Sequence, residues 1–257
     1  KTVSQKIKTT ADIEFKSKEE QISAENVIGV VTGSDLKNEY VFVTAHYDHL
    51  GTREEKVFNG ADDDGSGTVA VVEMAQAFAQ AKAEGHGPRR SIVFMAFSGE
   101  EKGLLGSKYY TSNPVFPMEQ TVCDLNIDMI GRVDEKHKDS SDYIYIIGSN
   151  FISTELHDIN EAAAKKYSSL KLDYTYNNSK DKNRFYYRSD HYNFAKNDIP
   201  VIFYFNGIHE DYHKETDEIS KINFEIMQAR TRLIFSTTWE IANRPLRIKK
   251  DVKKEAR

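Results

Sequence analysis

The stretch R-R-S-I-V-F-M-A-F-S-G-E-E, residues 89–101, decides the fold. Its centre, I-V-F-M-A-F at residues 92–97, is unbroken apolar sequence. A strand with one wet face alternates apolar and polar residues, whereas a strand covered on both faces does not. Residues 92–97 therefore predict a central strand with helices above and below it. The glycine and paired glutamates that follow fall at its carboxyl end, where open α/β sheets bind ligands.

Outward from this run, short β-rich segments alternate with helical patterns. Residues 27–31 and 40–45 are rich in Val, Tyr and Phe, and residues 122–130, 143–147 and 200–205 read as further strands. Residues 65–83 predict a helix with Val71, Ala75 and Phe78 on one face. A second helix is expected over residues 153–167, with Ser153 as its N-cap. A third covers residues 223–243, with Ile226, Ala229 and Leu233 on one face and Pro245 just beyond its end. Strands separated by helices predict an α/β fold: a three-layer α/β/α sandwich around a mixed, mainly parallel sheet. Residues 1–257 read as one domain. Within it residues 1–18, weakly alternating at Val3, Ile7, Ile13 and Phe15, read as an edge strand or a linker from a preceding domain.

Composition excludes several classes. With 39% hydrophobic and 29% charged residues, the chain has the material for a core and a wet surface, so it is not disordered throughout. A net charge of -5 gives no basic field for general nucleic-acid binding. The Lys- and Arg-rich tail from Arg244 is interrupted by Asp251 and Glu255 and reads as a solvated terminus. Cys123 is the single cysteine, which rules out an intrachain disulfide and a Cys cluster for zinc or iron–sulfur. No apolar run approaches the roughly 20 residues of a membrane helix. The chain starts at Lys1 without an initiator Met or signal peptide and reads as a trimmed piece, so the sequence itself does not fix the compartment.

Five segments carry acid or imidazole groups at or just after a strand end. In Y-V-F-V-T-A-H-Y-D, residues 40–48, the period of two puts His46 and Asp48 on one face. A metal-binding imidazole needs its second ring nitrogen held, which a carboxylate can do. F-N-G-A-D-D-D-G-S-G, residues 58–67, sets three aspartates just before a helix. One would serve as a cap; three repel one another unless a cation neutralises them. Glu100 and Glu101 are adjacent and point different ways, a pair suited to one metal ligand and one general base. Asp128 sits in the apolar run L-N-I-D-M-I-G-R and needs a partner if buried. In G-I-H-E-D-Y-H-K-E-T-D, residues 207–217, His209 and His213 each offer an imidazole, with Asp217 placed to orient one of them. Carboxylates mixed with imidazole and without thiolate favour zinc, then cobalt or manganese.

These motifs resemble those of the M28 family of zinc-dependent metallopeptidases, the co-catalytic di-zinc aminopeptidases. A-H-Y-D-H-L-G, G-A-D-D-D-G-S-G, G-E-E-x-G-L-L-G-S and N-x-D-M occur in the family's order, and the likeness runs from Asn26 through Y-H-K-E-T-D at Tyr212. The resemblance implies one zinc on His46 and Asp128, a second on Glu101 and His213, and Asp63 as the bridge. It implies Glu100 as general base, Asp48 as the carboxylate behind His46, and Tyr212 as a donor to the oxyanion. His209 has the weaker claim, because only His213 follows Tyr in Y-H-x-x-x-D. Ser189, Asp190 and His191 form the S-D-H segment, expected to be structural or to line the cleft, with Arg188 reaching toward it.

The implied function is a metallo-exopeptidase hydrolysing peptide bonds with water held between two zinc ions, acting on peptide or protein N-termini in a secreted or periplasmic setting. Three rivals share the superfamily: a glutaminyl cyclase-like single-zinc aminoacyltransferase, a carboxypeptidase, and a catalytically silent binding domain. The complete ligand set weighs against the first and the last.

Overall fold

The computed structural model describes residues 4, 10, 12–15 and 23–252. Val3 and Ile7 of the N-terminal alternation lie outside the described residues, and Ile13 and Phe15 are exposed and belong to no strand. Fourteen strands and α-helices follow among the described residues. They are β1 (Val27–Val31), β2 (Leu36–His46), β3 (Gly51–Arg53), β4 (Lys56–Phe58), α1 (Gly67–Ala83), β5 (Arg90–Phe97), α2 (Leu105–Ser112) and β6 (Thr121–Ile127). β7 (Tyr143–Ile147), α3 (Thr154–Tyr167), β8 (Lys171–Asp173), α4 (His191–Lys196), β9 (Val201–Phe205) and α5 (Phe224–Asn243) complete them.

Seven strands form one mixed sheet in the order β1-β5-β2-β6-β9-β7-β8. Its centre, β5, β2, β6 and β9, is parallel throughout, so all four carboxyl ends open on one edge. β1 and β7 run antiparallel to their neighbours β5 and β9. Alternation along the central strands feeds two cores. Val41, Val43, Ile92 and Phe94 pack with Val71, Met74 and Phe78 of α1 and Leu233 and Ile234 of α5. Phe42, Val93, Met95 and Phe97 point the other way, onto Tyr110 of α2 and Phe194 of α4. This is the expected α/β/α sandwich, with α1, α3 and α5 on one face and α2 and α4 on the other.

Ser153 caps α3 through the Leu156 amide at 3.1 Å, and Asn223 caps α5 through the Ile226 amide at 3.1 Å. One element begins later and one ends earlier than the sequence pattern suggests, and both differences matter for the site. Residues 61–66 form a separate helical turn ahead of α1, broken by non-helical backbone at Asp63 and Asp64, and the apolar run through β6 leaves the sheet at Ile127, which turns Asp128 out of the ladder. The described part of the tail, residues 244–252, is not simply the solvated terminus expected: Ile248 is buried, Arg244 pairs with Glu155 at 2.5 Å, and Arg247 donates to the Thr121 carbonyl at 2.6 Å. No helix among the described residues is long and apolar enough to cross a membrane.

Candidate active site

The parallel strands deliver their carboxyl-end residues to one cleft. β2 ends on His46, the turn after β5 carries Glu100 and Glu101, Asp128 follows β6, and the loop after β9 carries His209 and His213. The chain folds back at each point, so residues far apart in sequence meet over the sheet edge.

His46 is 1% exposed, and its Nδ1 lies 3.0 Å from the carbonyl oxygen of Asp48. That carbonyl, an obligate acceptor, sets the proton on Nδ1 and frees Nε2 as a donor atom for the cleft. The Asp48 carboxylate stands farther off, at 3.7 Å, and instead accepts the Glu100 amide at 3.0 Å and the Glu101 amide at 3.4 Å. Asp48 thus ties the end of β2 to the turn that presents both glutamates. His46 Nε2 faces Asp63 Oδ1 at 3.2 Å, Asp128 Oδ2 at 3.8 Å and Glu100 Oε2 at 4.0 Å. The other Asp63 oxygen, Oδ2, faces His213 Nε2 at 3.1 Å, and His213 Nε2 lies 3.3 Å from Glu101 Oε1. One carboxylate therefore presents an oxygen to each of two neighbouring clusters.

The three aspartates divide their work. Asp64 accepts the His46 amide at 3.1 Å, the Gly67 amide at 2.9 Å and the Met129 amide at 3.1 Å, joining the ends of β2 and β6 to the start of α1. Asp62 accepts the Gly131 amide at 2.6 Å and pairs with His209 Nε2 at 3.1 Å. Only Asp63 turns toward the catalytic-type residues. The mutual repulsion expected of three adjacent carboxylates is thus largely met by backbone donors aimed at two of them. Asp217 departs from expectation: it accepts the amides of Asp62 at 3.1 Å and Asp63 at 3.1 Å, and steadies that turn where it was expected to orient an imidazole.

Asp128 accepts a 2.6 Å hydrogen bond from Ser189, which in turn accepts one of 2.8 Å from Asn126. The S-D-H segment thus reaches the site directly through Ser189. Asp190 lies behind it, accepting from Ser107 at 2.5 Å, and His191 is buried flat against Phe203. Tyr212 stacks on His213 with ring centroids 3.9 Å apart, and its hydroxyl accepts from Arg188 at 3.1 Å. A cleft of about 340 Å³ opens over these groups, with Met129, Phe185, Phe203, Phe205 and Ile208 as its apolar wall.

Burial pushes Glu100 up to about 9, reinforced by the negative charge of Asp128, Asp190 and Asp63 and only partly offset by His46. Burial also acts on Glu101, but His213 and His49 outweigh it and hold that carboxyl at about 2. Asp63 is depressed in the same way: its contacts with His213 and His46 overcome its burial. His213, between Asp63 and Glu101, is raised to about 9. Adjacent glutamates in one turn are thus driven in opposite directions, the separation expected of groups with different roles.

Metal fit can be judged from the unsatisfied atoms. His46 Nε2, both ring nitrogens of His49, Asp63 Oδ2 and Glu101 Oε1 are buried without a hydrogen-bond partner. Buried polar atoms are rarely left so. Four of these atoms, His46 Nε2, His49 Nδ1, Asp63 Oδ2 and Glu101 Oε1, belong to residues whose donor atoms cluster in the cleft, and cations would satisfy them. The groupings His46–Glu100–Asp128 and His49–Asp63–Glu101 each bring three donors within metal-binding reach. His49 was not among the ligand candidates read from the sequence. It follows the expected His-x-Asp pair directly, after β2 has ended, where strand alternation no longer tells which way a side chain points.

The family model described as "Peptidase family M28" matches residues 26–238. Aminopeptidase YwaD of Bacillus subtilis is 29% identical over 240 residues, covering 91% of this chain and 49% of the relative. Among solved structures, a zinc aminopeptidase from Bacillus subtilis superposes with a TM-score of 0.69 at 26% identity, covering 89% of this chain and 53% of the other. Porphyromonas gingivalis glutaminyl cyclase superposes with a TM-score of 0.62 at 19% identity, covering 82% and 76%, which shows a shared fold. The chain spans about half the length of the aminopeptidases it matches.

Proposed function

The chain belongs to peptidase family M28, and we propose on that footing that it is a two-zinc aminopeptidase that releases N-terminal residues from peptides. The observation that carries this reading is the position of Asp63, with Oδ1 3.2 Å from His46 and Oδ2 3.1 Å from His213. A carboxylate shared between two imidazole-bearing clusters suits a bridge between two ions, and a single-zinc site has no use for it. His46 and Asp128 would hold one ion, Glu101 and His213 the other. The names of the relatives, which include zinc aminopeptidases, support the choice of metal.

Bound zinc would supply Lewis acidity, making water a usable nucleophile near neutral pH and polarising the scissile carbonyl. Glu100, whose carboxyl faces the His46 cluster at 4.0 Å, takes the proton from the attacking water and returns it to the leaving amine. Its metal-free affinity for a proton is high; cationic neighbours would draw it down toward working pH. Tyr212, whose hydroxyl accepts from Arg188, keeps its own proton because burial raises its pKa, and its hydroxyl would donate to the developing oxyanion. Ser189 keeps Asp128 turned into the cleft. A secreted or periplasmic location is proposed from the family resemblance alone, and cell fractionation tests it.

Metal analysis is the direct test of the two-zinc reading. Saturated protein should contain about two zinc per chain; saturation at one would favour the cyclase-like rival.

A further inference from the structure

We propose that His49 is an additional imidazole ligand of the metal position formed by Asp63, Glu101 and His213. The inference rests on the two-zinc reading above and adds a residue to it. His49 is buried, 7% exposed at its side chain, against 38% for His213. Its Nδ1 lies 2.9 Å from Glu101 Oε1 and 3.9 Å from Asp63 Oδ2, the same two oxygens that His213 Nε2 meets at 3.3 and 3.1 Å. The two imidazoles therefore converge on one pair of carboxylate oxygens, their ring centroids 5.7 Å apart and edge-on.

An ion pair between His49 and Glu101 is the plain alternative. It leaves the polar accounting open, because His49 Nδ1, His49 Nε2, Glu101 Oε1 and Asp63 Oδ2 all lack a hydrogen-bond partner. The 2.9 Å contact does not have hydrogen-bond alignment, so the ring has not settled on Glu101 as a donor would. A cation accepted by Nδ1 and both oxygens removes three of these deficits at once. Local packing also fixes the ring. Gly60 has φ 62°, and a Cβ there would stand 2.4 Å from His49 Cγ, so the glycine lets the imidazole lie against the aspartate turn.

The test is metal binding to the whole chain. Stripped wild type, His49→Ala and His213→Ala are titrated with zinc under a competing chelator, and with cobalt for its visible absorption. Changes behind a ligand typically weaken a metal site 10–100-fold. His49→Ala should therefore weaken the second ion by more than 100-fold and change the cobalt spectrum, as is expected of His213→Ala. A loss below 100-fold, or an unchanged spectrum, would overturn the assignment. A second measurement needs no variant: wild type labelled with ¹⁵N-histidine and loaded with ¹¹³Cd should show His46, His49 and His213 coupled to cadmium. Coupling of His46 and His213 alone overturns it. If wild type takes up a single ion, the two-zinc reading falls, and the presence or absence of His49 coupling still decides the role of His49.

Discussion

Replacing Glu100 by Gln separates two neighbouring glutamates that composition cannot distinguish. The side chains sit in different company: Glu100 faces the His46–Asp128 group, while Glu101 Oε1 lies 3.3 Å from His213. Glu100→Gln keeps the volume and the buried contacts and removes only the proton-accepting oxygen. A positioned general base contributes about 10²–10⁴ in rate, or roughly 2.7–5.5 kcal/mol of barrier. The expected result is a fall in kcat of that size with zinc content unchanged at about two per chain. Inhibitor affinity should hold, because His46, Asp63, Asp128, Glu101 and His213 all remain. Glu101→Ala removes a donor from the second cluster and should instead lower zinc content, with activity lost as a consequence. Both variants are read by elemental analysis after dialysis and by turnover of an aminoacyl anilide at saturating substrate. Loss of zinc from Glu100→Gln with retention in Glu101→Ala would exchange the two roles. That outcome is physically reachable, since Glu100 stands within metal-binding reach of His46 and Asp128. Retention of full activity and zinc in both would refute the active-site assignment.

Other perturbations probe separate parts of the reasoning. Acetylating the N-terminus of a good peptide substrate should nearly abolish hydrolysis while C-terminal amidation should change it little; the reverse pattern would make the enzyme a carboxypeptidase. The wall of Met129, Phe185, Phe203, Phe205 and Ile208 should favour apolar residues at the cleaved position. Leucyl substrates should therefore exceed alanyl ones by roughly 10-fold or more in kcat/KM, at about 0.8 kcal/mol per buried methylene, and Phe203→Ala should shrink the gap. Because the folded metal-free protein holds the Glu100 proton up to about pH 9 and the unfolded chain releases it near pH 4.5, stability from this group is lost as pH rises through that window. The thermal midpoint of stripped protein should fall over that range less steeply in Glu100→Gln than in wild type. Arg230, fully buried on α5, donates to the carbonyls of Tyr143 at 2.9 Å, Ile130 at 2.8 Å and Arg132 at 2.7 Å. Arg230→Met should cost about 3 kcal/mol or more by stripping those acceptors, measured by urea unfolding.

The layer architecture was legible because it depends on patterns that survive in one dimension. An unbroken apolar run such as 92–97 reports burial on both faces, and 3.6-residue periodicity reports helices. Short elements were not legible. The β3–β4 hairpin has three residues in each strand, α2 is eight residues long with a glycine in its first turn, and β8 is a three-residue edge. None contains enough residues for a period to emerge, and each is held by tertiary contacts. The helix boundary at residue 65 shifted to Gly67 because Asp64 spends its carboxylate on the amides of His46, Gly67 and Met129. That competition lies between strands distant in sequence, and no local propensity reports it.

The chemistry follows the same division. Residue types at strand ends pointed to His46, the three adjacent aspartates, Glu100, Glu101, Asp128 and the two histidines after β9, and the structure gathers His46, Asp63, Glu100, Glu101, Asp128 and His213 in one cleft. The family resemblance, not local pattern, selected Asp63 among the three aspartates and His213 over His209; what neither supplied was the supporting geometry that turns these two toward the cleft. Both placements depend on a single set of backbone donors. Asp217 accepts two amides of the aspartate turn, Asp62 accepts Gly131 and binds His209, and Asp64 accepts three more amides. With these carboxylates satisfied by the backbone, Asp63 is left with His46, His49 and His213. Gly131 is held by Asp62, and Arg230 binds the carbonyls on either side of it, at Ile130 and Arg132. The placement of the central carboxylate is therefore coupled, through Asp62 and the loop after β6, to a buried arginine on the helix α5. Loosening that arginine should disturb Asp63 before it disturbs the sheet, so at denaturant concentrations below global unfolding Arg230→Met should lose zinc while its far-ultraviolet dichroism is retained. Simultaneous loss of both signals would show that the loop has no stability separate from the sheet and would refute the coupling.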